Sequence, residues 1–451
     1  MKKTGLIFFP AFDWAISETH PEREERLLYT RDQIFEEGIL DNPKIIEYKP
    51  RLATNADINR VHFCVPDIDS QTTSAHFISA GSALKLGDAL VSGEIKNGFA
   101  LVRPPGHHAM RVVHGNRGFC NINNEAILVE YLRSKYGFRK IAIVDTDVHH
   151  GDGTQDVFYH DPDVLFISVH QDGRTLYPGS GFVDEVGGPG AHLRNINIPL
   201  PPGTTDEGFL SVLRQIIKPA LEAFQPELII NSAGQDNHFT DPLANMKVTA
   251  QGYGKLTEEL RPDLAVLEGG YAIETALPYV NLSILLALAA EDYSMVVEPQ
   301  YRPDELRQSV AIDKHIAEII SYWQEKLAQN PPDKESLFGP SHISNNRRNI
   351  YYDTDHISEE QQESVDYCPD CPGLYRVISE AKKAYGRDYT LWGISIPLFA
   401  CTSCHKRAYE LWDEQMQKKA GANGTHRRLE TRYDFYCLQD KKEDRYLKEN
   451  R

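Results

Sequence analysis

The sequence predicts an α/β protein in which a parallel β-sheet is flanked by helices and is followed by a small, zinc-ribbon-like C-terminal module. Three observations predict it. Short apolar runs alternate with helical patterns between about residues 95 and 290, these runs lead straight into polar residues of unusual type, and two CxxC pairs lie near the end of the chain.

The strand-length runs are FALV (99–102), IAIVD (141–145), VLFISV (164–169), LIINSA (228–233) and AVLEGG (265–270). Near-continuous apolarity over so few residues is what a strand covered on both faces requires, and the helical segments between such runs supply the crossovers of a parallel sheet. Helical periodicity marks residues 206–224, 276–290 and 304–328. The main domain is therefore expected over 1–329. Residues 330–366 are polar and interrupted by Pro and Asn, which predicts a linker, and 367–451 form the cysteine-bearing module. A chain of 451 residues accommodates such a division.

Charge narrows the function classes. With 48 basic and 65 acidic residues the net charge is -17, a field that repels phosphate backbones and anionic membranes and suits cationic or neutral substrates. No stretch approaches the roughly 18–20 apolar residues that cross a bilayer, and the run 6–9 is cut short by Pro10 and Asp13. A soluble cytoplasmic protein is expected. Seven cysteines, five of them crowded at 368–437, suit metal binding in a reducing compartment better than disulfides.

The chemistry clusters where strands end, in RPPGHH, DTDVHHGDG, HQDG, GQDN and GGY, and in open α/β sheets that edge is where ligands bind. In DTDVHHGDG, Asp145, Asp147 and His149 fall at alternate positions, so an extended chain turns all three to one side. Asp147 and His149 then offer two ligands to a divalent metal, and Asp241 in FTDPLANM is the expected third, leaving a fourth position for water or a substrate carbonyl. A lone DxH is more often a capping carboxylate beside a structural histidine. The adjacent pair His107 and His108 tips the balance, because a water attacking an amide needs a base that titrates near neutrality. Asp145 and Asp152 are available to fix the histidine tautomers. Tyr271, after two glycines, is placed to stabilise an oxyanion, although a buried core tyrosine is the commoner outcome for such a residue.

With these residues in view, RPPGHHA, GFCNINNEAI, DVHHGDGTQDVFY, SVHQDG, YPGSG, NSAGQD, DPLANM and EGGY, in this order, resemble the successive motifs of the histone deacetylase family, and HPERE (20–24) resembles its rim segment. The resemblance covers roughly residues 5–300. It implies an arginase-like α/β fold, a catalytic zinc on Asp147, His149 and Asp241, and a proton-transfer pair in which His108 is the general base and acid while His107 is mainly electrostatic. It also implies Tyr271 as the catalytic tyrosine, Phe119 and Tyr177 as walls of a narrow acyl-lysine channel, and a potassium ion near Asp145, Asp147, His149, Ser168 and Val169. Polyamine-specific relatives carry an acidic gatekeeper where this chain has Leu243, and EGGY is more similar to the class II and bacterial members. The implied activity is hydrolysis of an N-acetyl amide: acetyl-lysine, an acetylpolyamine or a related small-molecule or peptide substrate. An arginase-like ureohydrolase would need more aspartate ligands. A non-catalytic protein that binds acetylated ligands or recruits a partner is the alternative from another class.

Cys368 and Cys371 in YCPDC with Cys401 and Cys404 in ACTSC form the ligand set of a structural tetrathiolate zinc site, a second zinc in addition to the catalytic one. Their 29-residue separation exceeds the common ribbon spacing of about 15–20, which predicts an inserted hairpin or helix. His405 is expected to be a bystander. The basic pairs Lys382–Lys383, Lys406–Arg407 and Arg427–Arg428 are more often solvated surface than a recognition site, so nucleic acid is not the expected ligand. A protein partner for the module and self-association remain open at this level.

Overall fold

The computed structural model describes residues 3–329, 332, 334–339, 341–383, 387–421 and 432–450. The Arg427–Arg428 pair and the start of the expected linker at 330–331 lie outside the described residues. The main body is built on ten strands: β1 (Lys3–Phe9), β2 (Ile45–Glu47), β3 (Phe63–Cys64), β4 (Ile95–Val102), β5 (Val112–Val113), β6 (Ile141–Asp145), β7 (Val164–Gln171), β8 (Asn195–Leu200), β9 (Leu228–Ala233) and β10 (Leu264–Leu267). Eight of them form one sheet in the order β2-β1-β4-β10-β9-β6-β7-β8, with every neighbouring pair parallel. β3 and β5 pair separately.

The apolar runs feed two cores at once. Ala142 and Val144 of β6 enter one, with the helices Ala250–Leu260, Leu277–Ala289 and Val310–Ala328. Ile141 and Ile143 enter the other, with the helices Ser74–Val91 and Asn124–Tyr136. That alternation at period two is why these strands carry almost no polar residue until they end. Among the described residues no helix is long and apolar enough to cross a membrane.

The C-terminal region is larger than a zinc ribbon. It forms a second sheet in the order β11 (Ile343–Tyr352), β12 (Ile357–Asp366), β13 (Leu374–Lys383), β14 (Asp388–Ile396), β15 (Arg432–Asp440) and β16 (Arg445–Asn450). All its pairings are antiparallel except β14 with β15, between which the helix Thr402–Gly421 lies in the chain. The hairpin expected between the two CxxC pairs is β13–β14. The segment expected as a linker instead supplies β11 and β12. Its alternation escapes detection because the inward positions of β12 include Glu359, Gln361 and Glu363, all buried. Those polar groups are satisfied internally: Tyr352 Oη and Ser379 Oγ donate to Glu359, and Tyr375 Oη donates to Glu363.

The sheet packs one face on the body. Phe63, Val65 and Val112 share a core with Val365, Tyr375, Val377, Leu391 and Phe435. Buried polar contacts add to the seam, including Lys441 to Glu130 at 2.8 Å and His114 to Ser379 at 2.7 Å. Its other face is covered by the helix Thr402–Gly421 through Ala408 and Trp412.

Candidate active site

β4, β10, β9 and β6 are consecutive neighbours in the sheet, so the loops that leave their carboxyl ends meet: RPPGHH after β4, EGGY after β10, GQDN after β9 and TDVHHGDG after β6. His149 Nδ1 lies 3.1 Å from both Asp147 Oδ1 and Asp236 Oδ2. Asp147, His149 and Asp236 are the body residues whose donor atoms lie within 4.8 Å of one another among the described residues. Backbone amides hold the carboxylates in place: Gly269 N–H donates to Asp147 Oδ2 at 2.7 Å and Val148 N–H to Asp236 Oδ1 at 2.9 Å. Gly269 must be glycine, since a β-carbon there would run into both carboxylates.

Asp241, the expected third ligand, stands beside this trio rather than within it. Its two oxygens accept from the Tyr271 and Leu243 N–H groups at 2.7 and 2.9 Å. Burial and the neighbouring Asp236 push its carboxyl up to about 7. Asp236 was not singled out from sequence, although it ends the strand-end run GQD as Asp147 and His149 end theirs.

The histidine pair is backed as expected. His107 Nδ1 lies 3.0 Å from Asp145 Oδ2, and His108 Nδ1 lies 2.8 Å from Asp152 Oδ1. Glu268 orients the turn by accepting from the Gly106 and His107 N–H groups. The two rings are shifted in opposite directions. Burial opposes a charge on His107, but Asp147, Asp145 and Glu268 outweigh it and hold its pKa well above normal. Burial, reinforced by His107, lowers His108 to about 3. Asp152 resists its own burial because Arg117 Nη2 pairs with it at 2.6 Å, so its carboxyl stays ionised. Arg117 carried no signal in the sequence.

Tyr271 follows the glycine turn after β10 and lies on the Arg26 guanidinium, 4.9 Å from its ring centre. Arg26 fixes that turn by donating to the Gly270 and Glu268 carbonyls, and Glu22 at 2.7 Å balances its charge. Phe119 stands edge-on to Tyr271 at 5.5 Å and to His20 of the HPERE segment at 4.3 Å. Tyr177 stands edge-on to His108 at 5.2 Å and to His149 at 6.4 Å. Phe119, Tyr177 and His20 are half-buried, and so is Leu243, whose N–H donates to Asp241. Ser168 and Val169 lie in β7, where Ser168 is in register with Asp145 and its hydroxyl meets His170 at 2.8 Å.

At the far site the four thiols of Cys368, Cys371, Cys401 and Cys404 also lie within 4.8 Å of one another. Cys371 is held down to about 5 by the Cys404 thiol. His405 points elsewhere, bonding Asp440 at 2.8 Å. Four convergent thiols suit a tetrahedral metal, which makes this region compatible with a zinc-binding module.

The comparisons with known proteins agree with this geometry. A family model described as the histone deacetylase domain matches residues 67–287. A probable deacetylase of Archaeoglobus fulgidus is 42% identical over 359 residues, covering 71% of this chain and 99% of that protein. A histone deacetylase-like amidohydrolase of Pseudomonas aeruginosa is 36% identical over 261 residues, covering 56% of this chain and 66% of that protein. The crystal structure of the HDA15 HD domain superposes with a TM-score of 0.63 at 29% identity, over 72% of this chain and 96% of that one. A chain that carries these motifs in this order, on this sheet, and spans nearly the whole of such a relative belongs to the histone deacetylase family of hydrolytic deacetylases.

Proposed function

We propose that the protein is a zinc-dependent deacetylase that hydrolyses the N-acetyl amide of acetyl-lysine, an acetylpolyamine or a related N-acyl amine. One observation carries this reading: a carboxylate–imidazole–carboxylate cluster at the sheet edge adjoins two histidines, each backed by its own aspartate. Two buried carboxylates held by backbone amides, with a half-buried imidazole between them, fit a borderline-soft divalent ion. Asp147 and His149 would hold it, with Asp241 or Asp236 as the third ligand. Bound there, zinc would act as a Lewis acid on the acetyl carbonyl and lower the pKa of the attacking water.

The protein side chains do the rest. His108, its tautomer fixed by Asp152, takes the proton of the attacking water and returns it to the leaving amine. His107, backed by Asp145, is mainly electrostatic in this reading. The Tyr271 hydroxyl is the donor to the developing oxyanion. Phe119, Tyr177 and Leu243 line the way in and exclude water from the acyl stem. Potassium near Asp145, Ser168 and Val169 belongs to the same reading, supported by the register of β6 with β7.

The test is a panel of acetyl-lysine peptides, acetylpolyamines and small N-acetyl amides, run with metal analysis. Wild type is expected to release acetate, and Asp147→Ala to lose both turnover and one equivalent of metal. A metal-replete wild type that hydrolyses nothing on the panel would favour a non-catalytic acetyl-ligand-binding protein instead.

A further inference from the structure

The turn between β11 and β12 reaches out of the C-terminal sheet and fastens onto the loop that carries the channel wall. Asp355 Oδ2 accepts from Asn116 N–H at 2.6 Å. Asp353 Oδ1 accepts from Gly118 N–H at 2.9 Å and from Tyr177 Oη at 3.2 Å. Between them, Arg117 and Cys120 exchange backbone hydrogen bonds across a tight turn whose central residues, Gly118 and Phe119, both have positive φ, 52° and 69°. A left-handed phenylalanine is costly and persists only where its surroundings hold it. Asp353 thus touches one wall of the channel and the amide adjoining the other.

Its carboxylate also stands without a cationic partner, unlike those of Glu22 and Asp152. Glu22 is paired with Arg26 and Arg103, and Asp152 with Arg117. Among the described residues no basic side chain forms an ion pair with Asp353, and both of its hydrogen bonds engage Oδ1. The half-buried His20, against Phe119, is close enough to feel its field. Asp353 lies outside residues 67–287, and the position beside Asp241 that could have supplied a gatekeeping acid is Leu243.

We propose that Asp353 is a specificity-determining residue: the C-terminal sheet lends the channel mouth a carboxylate that selects substrates with an alkylammonium group on the amine half of the acetamide. The proposal rests on the deacetylase reading above. An ion pair at a partly solvated rim is a modest, salt-sensitive preference, and about a 2- to 5-fold gain in kcat/KM is its natural size. Such an ammonium could belong to a diamine or to a lysine flanking an acetyl-lysine, and the two carriers share the chemistry.

The experiment compares matched pairs on the full-length enzyme: monoacetylated putrescine against N-pentylacetamide, and an acetyl-lysine peptide flanked by lysine against one flanked by norleucine. The ratio of kcat/KM, charged over neutral, is measured for wild type, Asp353→Asn and Asp353→Lys. Asparagine keeps an acceptor for Gly118 and Tyr177 while removing the charge. The expected result is that one pair shows a wild-type ratio that falls as salt is raised, collapses through KM in Asp353→Asn and inverts in Asp353→Lys. The pair that responds identifies the carrier. A merely structural Asp353 would slow both members of each pair and leave both ratios alone, which overturns the proposal, as does a wild-type ratio that ignores salt. Absence of turnover on all four substrates would overturn the deacetylase reading and the proposal with it.

Discussion

The two cation-ready clusters sit in regions built on opposite packing rules. In the body, the central parallel strands are largely apolar on both faces and the buried carboxylates are deferred to the strand ends, where Asp147 and Asp236 meet the half-buried His149 as mixed ligands. In the C-terminal sheet, polar residues such as Glu359 and Gln361 are buried in mid-strand, and the four thiols lie half-buried in connecting segments outside the sheet. A mixed site with spare coordination positions serves chemistry and can be emptied without unfolding its scaffold. A closed thiolate site does no chemistry and ties the connections of its sheet together.

Cys371→Ser is the strongest way to break that comparison. Cys368 and Cys371 lie between β12 and β13, and Cys401 and Cys404 lie at the start of the helix Thr402–Gly421, so loss of one ligand should loosen both connections at once. We expect loss of one equivalent of zinc and rapid proteolysis within 341–450, with the body's own metal retained. Limited proteolysis with metal analysis reads both, and a protease-resistant module lacking zinc would refute the structural role.

The next largest effect concerns the third ligand. Asp236→Ala and Asp241→Ala compared side by side should both slow turnover, but the true ligand's variant loses the catalytic metal while the other weakens its affinity by about 10–100-fold, as loss of an orienting neighbour does. Metal content equal to that of wild type in both variants at limiting zinc would show that neither is a ligand. Tyr271→Phe should come below these: about 10²–10³-fold slower turnover with metal content unchanged, the size of one missing oxyanion donor. Full activity in that variant would remove Tyr271 from the mechanism.

These contrasts explain what was legible in the sequence. The five apolar runs lie on β4, β6, β7, β9 and β10 because a doubly covered strand has no polar face to blur it. The histidine pair and its aspartates were legible because each follows such a run. Asp236 carries the same kind of signal in the strand-end run GQDN, while the motif FTDPLANM offers Asp241 as the third ligand. β11 and β12 were illegible for a physical reason: their inward carboxylates are satisfied by Tyr352, Tyr375 and Ser379, partners that exist only after folding. Arg117 and Asp353 were illegible likewise, since their roles depend on contacts between segments up to 235 residues apart.

The seam between the two regions should be sensitive to acid, through His62. This residue directly precedes β3, whose Phe63 packs against the C-terminal sheet, and it is fully buried. Its Nδ1–H donates to the Met110 carbonyl at 2.7 Å, while its Nε2 accepts from the Asn123 N–H at 2.9 Å. Both nitrogens are thus committed to a neutral ring, and burial, which the Met110 carbonyl only partly offsets, pushes the pKa down to about 4. A depressed histidine contributes stability that is fully present above its unfolded value near 6.5 and is lost as pH falls through the folded value. The window is therefore pH 6.5 down to 4, and the span corresponds to about 3 kcal/mol. His62→Gln keeps one donor and one acceptor but cannot take up the proton. Urea unfolding at pH 7 and pH 4 should show wild type losing about 3 kcal/mol more than the variant between the two conditions. The other histidines are common to both proteins, so parallel losses would mean that the ring accepts its proton in place and that the seam is indifferent to acid at this residue.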